Sequence, residues 1–244
     1  MGYHLIACEI LRYEVEQARR EAGDGRVTVE FLRKGYHDSL TTLRQVVQER
    51  IEAASSQGPD AVLLGYGLCG TGLAGIRAVG APLVIPRTHD CIAILMGSAR
   101  AYDEHFREHP GTYYYSPGWV EWGADAIDRI SAFGPQVGER FVAYVEKYGE
   151  DNARYLIEQE NAWAARYTRA VFIDTGVDDP ARWEAAAREI AASKGLSEFT
   201  RVSGDLGLLR QLMAGEWEES EFLVVSPGSS IAASHDNQVM RGEP

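Results

Sequence analysis

The chain has 244 residues, 45% hydrophobic and 25% charged, enough to bury a full core and ordinary for a folded domain, so extended disorder is excluded. Its formal net charge of -12, with no run of Lys or Arg, repels phosphate backbones and argues against nucleic acid as a partner. No apolar run approaches the roughly 20 residues that span a bilayer, and the amino terminus has no basic-then-apolar leader, so a cytoplasmic protein without membrane contact is expected.

Apolar runs of strand length alternate with segments of helical period, the pattern of parallel strands joined by helical crossovers. A strand is predicted over 3–9 and a helix over Arg12–Ala22, ending at the Gly-Asp-Gly of 23–25. Over 26–35, Val27, Val29 and Phe31 alternate with polar neighbours, as a half-buried strand requires. A helix follows from about Thr41, capped by Ser39 or Thr41, with Leu43, Val46, Val47, Ile51 and Ala54 on one face. Asp60–Tyr66 is the most strand-like segment. Gly72–Val79 reads as a short helix, 82–86 as a buried strand, and Ile92–His105 as a helix stopped by Pro110-Gly111.

Tyr113–Trp122 reads as an aromatic strand interrupted by Ser116-Pro117-Gly118. From about Val137 to Tyr167 the chain is one long helix or a helical pair, with Phe141, Tyr144, Tyr148, Tyr155 and Trp163 near a common stripe. A strand at 169–174, a helix at 179–194 with Pro180 in its first turn, and a strand, short helix and strand lead to Ser226. The expected class is therefore α/β, with mostly parallel sheets and flanking helices. Ser-Pro-Gly recurs at 116–118 and 226–228, which, with the Asp174-Thr175-Gly176 turn, suggests two related lobes around a cleft: 1–112 carrying the cysteines, a connector over 113–168, and 169–244.

The three cysteines, an odd number in a chain expected to be cytosolic, do not form a disulfide framework. Cys8, Cys69 and Cys91 each sit where an apolar strand runs out, and the carboxyl ends of parallel strands open into one crevice. With His89 they have the ligand types of a soft-metal site, zinc in the first instance, that would activate a small thiol, amine or water. An iron-sulfur cluster on the three thiolates with one open iron is the alternative. Each cysteine also fits a plain core position, and Cys91, opening a helix beside His89, fits a metal-free nucleophile.

Gly65, Gly67 and Gly70 satisfy G-x-G-x-x-G after a strand, but helical residues begin late and a Cys occupies the phosphate position. Gly67 and Gly70 are expected instead to bring backbone N–H groups up to a thiolate or anion. Asp90 is a candidate catalytic base or the cap of the helix at Cys91, and Glu9 a supporting acid or a surface charge. Arg87, Ser116, Trp119, Asp174, Thr175 and Ser226 are the candidates for contact with a small-molecule substrate. A different class, a binding module that docks a partner or a second copy through Tyr144 and Tyr155, is equally consistent with the aromatic stripe.

Ala7-Cys8-Glu9, the 64–70 block Leu-Gly-Tyr-Gly-Leu-Cys-Gly, Pro86-Arg87 with His89-Asp90-Cys91, and Tyr115-Ser116-Pro117-Gly118-Trp119 together resemble a bacterial and archaeal family, DUF1638, over most of the chain. That resemblance implies a companion of corrinoid-dependent methyl-transfer systems. Methyl transfer in one-carbon metabolism, hydrolysis or lyase chemistry on a small methylated substrate, or service as a chaperone to a corrinoid protein, is what it leads one to expect.

Overall fold

A computed structural model describes residues 2–23, 25–122, 136–162 and 166–244. In chain order the elements are β1 (Tyr3–Cys8), α1 (Arg12–Ala22), β2 (Val27–Leu32), α2 (Leu40–Ser55), β3 (Ala61–Gly65), β4 (Leu83–Pro86), α3 (Cys91–Leu95), α4 (Ala99–Glu108), β5 (Thr112–Tyr115) and α5 (Pro117–Trp122). They continue as α6 (Gln136–Tyr148), α7 (Glu150–Ala162), β6 (Arg169–Asp174), α8 (Pro180–Ser193), β7 (Glu198–Ser203), α9 (Gly207–Ala214), β8 (Phe222–Val225), β9 (Ser230–Ala233) and β10 (Met240–Glu243). The α/β class is as expected. Two compact units are present: Met1–His105 with Thr175–Asp178 and Ser203–Pro244, and Phe106–Asp174 with Asp179–Val202.

The first unit is built on a five-stranded sheet of order β2-β1-β3-β4-β8. Strands β2, β1, β3 and β4 run parallel, because each is followed by a connection long enough to cross back over the sheet. From Leu5 onward β1 is buried, and β3 and β4 are buried at every position. Their uninterrupted apolar sequences match strands covered on both faces. The chain moves outward from β1 to β2, then back across β1 to β3. Right-handed crossovers in opposite directions place α1 and α2 on opposite faces, and the carboxyl ends of β1 and β3 flank the switch point where ligands of open α/β sheets bind.

Helix α2 starts where expected, with the Ser39 hydroxyl accepting from Thr42 N at 3.3 Å. The predicted helix at 72–79 is instead a series of turns. Local turn bonds hold its first half, and from Gly75 onward bonds run to the C-terminal segment, Gly75 N to Ile231 O at 2.7 Å and Ile231 N to Ile76 O at 2.8 Å, with Gly75 at φ +88. The helix expected over 92–105 is broken into α3 and α4 at Gly97, whose φ of +83 and close approach to Asp205 leave no room for a side chain.

Residues 203–244, expected within a separate lobe, return to the first unit. There β8 pairs antiparallel with β4, from Leu83 against Val225 to Pro86 against Phe222, and β9 and β10 form an antiparallel hairpin that the polar tail did not signal. In the second unit β5, β6 and β7 form a sheet, with β5 and β6 parallel. The aromatic run departs from the expected strand after Tyr115. Ser116 caps a helix with Pro117 as its first residue, its hydroxyl accepting from Trp119 N at 3.3 Å. The expected helical pair is present as α6 and α7, on which Tyr148 and Tyr155 are exposed; Trp163 of the expected stripe lies outside the described residues. Among the described residues no helix is long and apolar enough to cross a membrane.

Candidate functional site

Cys8 is the last residue of β1, and Cys69 lies four residues beyond β3, so the parallel pairing brings both to one end of the sheet. They are close enough that charge on Cys8 raises the Cys69 thiol. Burial is the larger cause, pushing Cys8 up to about 12 and Cys69 well above the ordinary thiol range. Asp90 adds to the rise at Cys69, and Glu9 to that at Cys8. Two backbone donors act the other way: the Ile10 N–H bonds to the sulfur of Cys8 and the Gly67 N–H to that of Cys69, each favouring thiolate.

An imidazole completes the group, and it is not the one the sequence nominated. His37 places Nε2 3.4 Å from Cys69 Sγ. Its Nδ1 is 3.1 Å from the carbonyl oxygen of Lys34, which can only accept, so Nδ1 carries the proton and Nε2 turns a lone pair toward the thiol. The ring stacks on Tyr66 at 5.9 Å between centroids and 21° between planes. His37 belongs to a short 3-10 turn, Lys34–Asp38, immediately after β2. Glu9 holds that turn, its carboxylate accepting from Lys34 N at 2.6 Å. Glu9 therefore acts on the site through the backbone that presents His37.

The loops after β3 and β4 are zipped together by Leu68 N to Thr88 O and Cys69 N to His89 O, both 2.8 Å. Gly67 permits this approach: a Cβ there would lie 2.6 Å from Asp90 N and 2.8 Å from Thr88 O. Cys69 is held at φ +50 and Gly70 follows at φ +72, a left-handed pair that turns the thiol back over the sheet end. Gly65 packs against Ala7, where a Cβ would stand 2.7 Å from Cβ of that residue. The three glycines serve close approach and chain reversal, and the residues after Gly70 form turns in place of the helix whose amino end a pyrophosphate would need.

Asp90 is the cap of α3, its Oδ1 accepting from Ile92 N at 2.9 Å and Ala93 N at 3.4 Å. Burial raises its carboxyl, while those two N–H groups and His89 pull the other way. The side chain of His89 is exposed, and this residue meets Cys69 through its carbonyl. Cys91 is half-buried as the first residue of α3. Among the described residues no group of three or more His, Cys, Asp or Glu side chains is placed to hold a metal ion together. The expected four-ligand set is thus not assembled as the side chains stand; Cys8, Cys69 and His37 are what the fold gathers.

The remaining nominated residues lie elsewhere. Arg87 is buried and donates to the carbonyls of Glu219 at 2.8 Å, Phe222 and Gln238 at 3.2 Å, and Met240. It ties the C-terminal segment to β4. Ser226 is exposed in a turn, and because β8 is antiparallel it falls at the end of the sheet opposite the cysteines. Thr175 donates to Glu14 Oε1 at 3.0 Å. In the second unit Ser116 is the cap described above, Trp119 lies on α5, and Asp174 pairs with Arg201.

The family described as "Protein of unknown function (DUF1638)" matches residues 31–213. No curated protein and no solved structure matches the chain.

Proposed function

The chain belongs to the DUF1638 family, and from that footing we propose that Cys8, Cys69 and His37 bind a soft divalent cation, zinc by preference, at the β1/β3 switch point and present it to a small molecule. One observation carries the reading. In a tetrahedral zinc site with Zn–S about 2.3 Å and Zn–N about 2.0 Å, sulfur and nitrogen ligands stand about 3.5 Å apart. Cys69 Sγ and His37 Nε2 are separated by 3.4 Å, with the other ring nitrogen anchored on a backbone carbonyl, as in metal-ligating histidines.

The electrostatics agree. Cys8, Cys69, Glu9 and Asp90 each make a neighbour's ionisation harder, a conflict that a bound cation relieves. Without one, burial disfavours the Cys69 thiolate, so Cys69 alone is a poor nucleophile. Cys8 would complete the set by turning about χ1, a turn that gives up the Ile10 N–H bond to its sulfur. A mixed sulfur and nitrogen donor set suits zinc better than the three thiolates of an iron-sulfur cluster.

When bound, zinc supplies a Lewis acid that makes a small thiol, amine or water nucleophilic at neutral pH. A thiol prepared in this way is a methyl acceptor, which fits a place in a corrinoid-linked methyl-transfer pathway. The residues themselves do the positioning. His37 is fixed by Lys34 and Glu9, the Gly67 N–H group steadies the Cys69 sulfur, and Asp90 holds α3 beside Cys69. The test is zinc titration of anaerobically purified protein against a chromogenic chelator. One equivalent is expected in the native chain, with affinity about tenfold weaker in His37→Ala; native protein that is folded and takes up no zinc overturns the reading.

A further inference from the structure

Leu43, Val47 and Ile51 bury one side of α2, and the row one position on, Arg44, Gln48 and Glu52, recurs every four residues beside it. Against that row lie the turns at 72–79, and between the two runs an open groove of about 380 Å³, a volume that holds a small molecule. Gln48 joins the walls. Its Oε1 accepts from Arg77 N at 2.8 Å and its Nε2 donates to Arg77 O at 3.3 Å, so one amide pins the turn as a neighbouring strand would. Two guanidinium groups line the groove, and each is tethered to a backbone carbonyl, Arg44 Nη2 to Thr71 O at 2.8 Å and Arg77 Nη2 to Gly228 O at 2.6 Å.

Among the described residues neither guanidinium has a carboxylate partner, whereas Arg50 on the same helix pairs with Glu30 at 3.4 Å. The Nε of Arg44 is buried with no acceptor, a costly state for a charged group. Gly75 leaves the space beside it unfilled, since a Cβ added there would stand 3.8 Å from both Cδ and Nε of Arg44. Carboxylates outnumber cations in this chain, yet none is spent on these two arginines.

We propose that this groove binds a small oxyanion, a carboxylate or phosphate carried on a short apolar body, with Arg44 and Arg77 donating to its oxygens. A guanidinium presents its N–H groups in the fork that carboxylate and phosphate oxygens accept, and the backbone tethers hold both forks in place before the ligand arrives. Val79 is exposed on the same wall and gives the apolar body a surface. Glu52 also lines the groove, with its Oε1 accepting from Gln48 Nε2 at 3.1 Å. On the helix it lies about 12 Å from Arg44 along the axis, so it confines negative charge to the end where Arg44 stands. The groove needs no metal ion and is independent of the cysteines.

Isothermal titration of the full chain with phenylphosphonate and with benzoate distinguishes a phosphate from a carboxylate ligand, and benzyl alcohol reports the apolar body alone. The native chain is expected to bind at least one of the two anions at one equivalent, about tenfold more tightly than benzyl alcohol. Arg44→Gln and Arg77→Gln are each expected to weaken the anion about tenfold, and Arg44→Lys, which keeps the charge and loses the fork, about threefold. Arg50→Gln removes the same charge from the same helix and is expected to leave binding unchanged, while Glu52→Gln tightens it. Unfolding midpoints of the variants report that each is folded. Folded native protein that binds neither anion more tightly than benzyl alcohol overturns the proposal, as does a loss in Arg50→Gln equal to that in Arg44→Gln.

Discussion

Glu14→Gln is expected to stabilise the protein by about 3 kcal/mol near pH 8 and to change it little near pH 4. Glu14 opens the second residue pair of α1 and is wholly buried; one oxygen accepts from Thr175, and the other, Oε2, has no partner among the described residues. Burial raises its carboxyl from an ordinary 4.5 to about 7, against the smaller opposing effects of its own backbone N–H and of Thr175. The sign follows from where each state holds the proton. Below the unfolded value both states are protonated and the contribution is fully present. As pH rises from 4.5 through 7 the unfolded chain releases a proton that the folded chain keeps, and stability falls. Glutamine imitates the protonated acid at every pH. Urea unfolding of both forms across this range checks the claim, and a difference that does not vary with pH contradicts it.

Gly67→Ala is expected to cost about 3 kcal/mol and to abolish high-affinity zinc binding. Its φ is one that any residue adopts, so the effect is steric and not conformational. The added Cβ would meet Asp90 N at 2.6 Å, Asp90 Cα at 2.8 Å and Thr88 O at 2.8 Å, all backbone atoms that cannot swing aside as a side chain can. The loops must part, breaking the bonds from Leu68 N and Cys69 N and with them the left-handed placement of Cys69. Gly70→Ala offers the comparison. At φ +72 it meets only Leu40 Cδ2 at 3.9 Å, so its cost is backbone strain of about 1 kcal/mol. Equal losses from the two substitutions would show that the loop contact does not hold the site together.

The meeting of Cys8 and Cys69 was legible because strand direction follows from connection length. The runs Leu5–Cys8 and Ala61–Gly65 are apolar without interruption, and the segment between them crosses the sheet, so their carboxyl ends share an edge. His37 was equally open to that rule. It follows β2, a third parallel strand beside β1, and the short polar run Lys34–Asp38 at a strand's carboxyl end is the signal that marks it. Proximity in sequence points to His89 instead, but a residue two positions from Cys91, on the exposed side of the loop, need not face the same way.

Two other features were not legible for physical reasons. The direction of β8 depends on whether the chain after α9 doubles back or crosses over. The turn at 215–221 doubles back, so Ser226 lands at the far end of the sheet. Arg87 was nominated for substrate because a cation beside a candidate site invites that role. Its partners are carbonyls at 219, 222, 238 and 240, more than a hundred residues distant in sequence, and nothing local announces them. The turns at 72–79 have a related origin, since Gly75, Ile76 and Ala78 exchange backbone hydrogen bonds with residues 228–231.

X-ray absorption at the zinc edge of the loaded, native chain reads the ligands of the ion directly. Two sulfurs at about 2.3 Å with at least one imidazole nitrogen at about 2.0 Å, and one sulfur fewer in Cys69→Ser, is the result expected from the convergence of β1, the turn after β2 and the loop after β3. A first shell of nitrogen and oxygen alone, unchanged by Cys69→Ser, would contradict it.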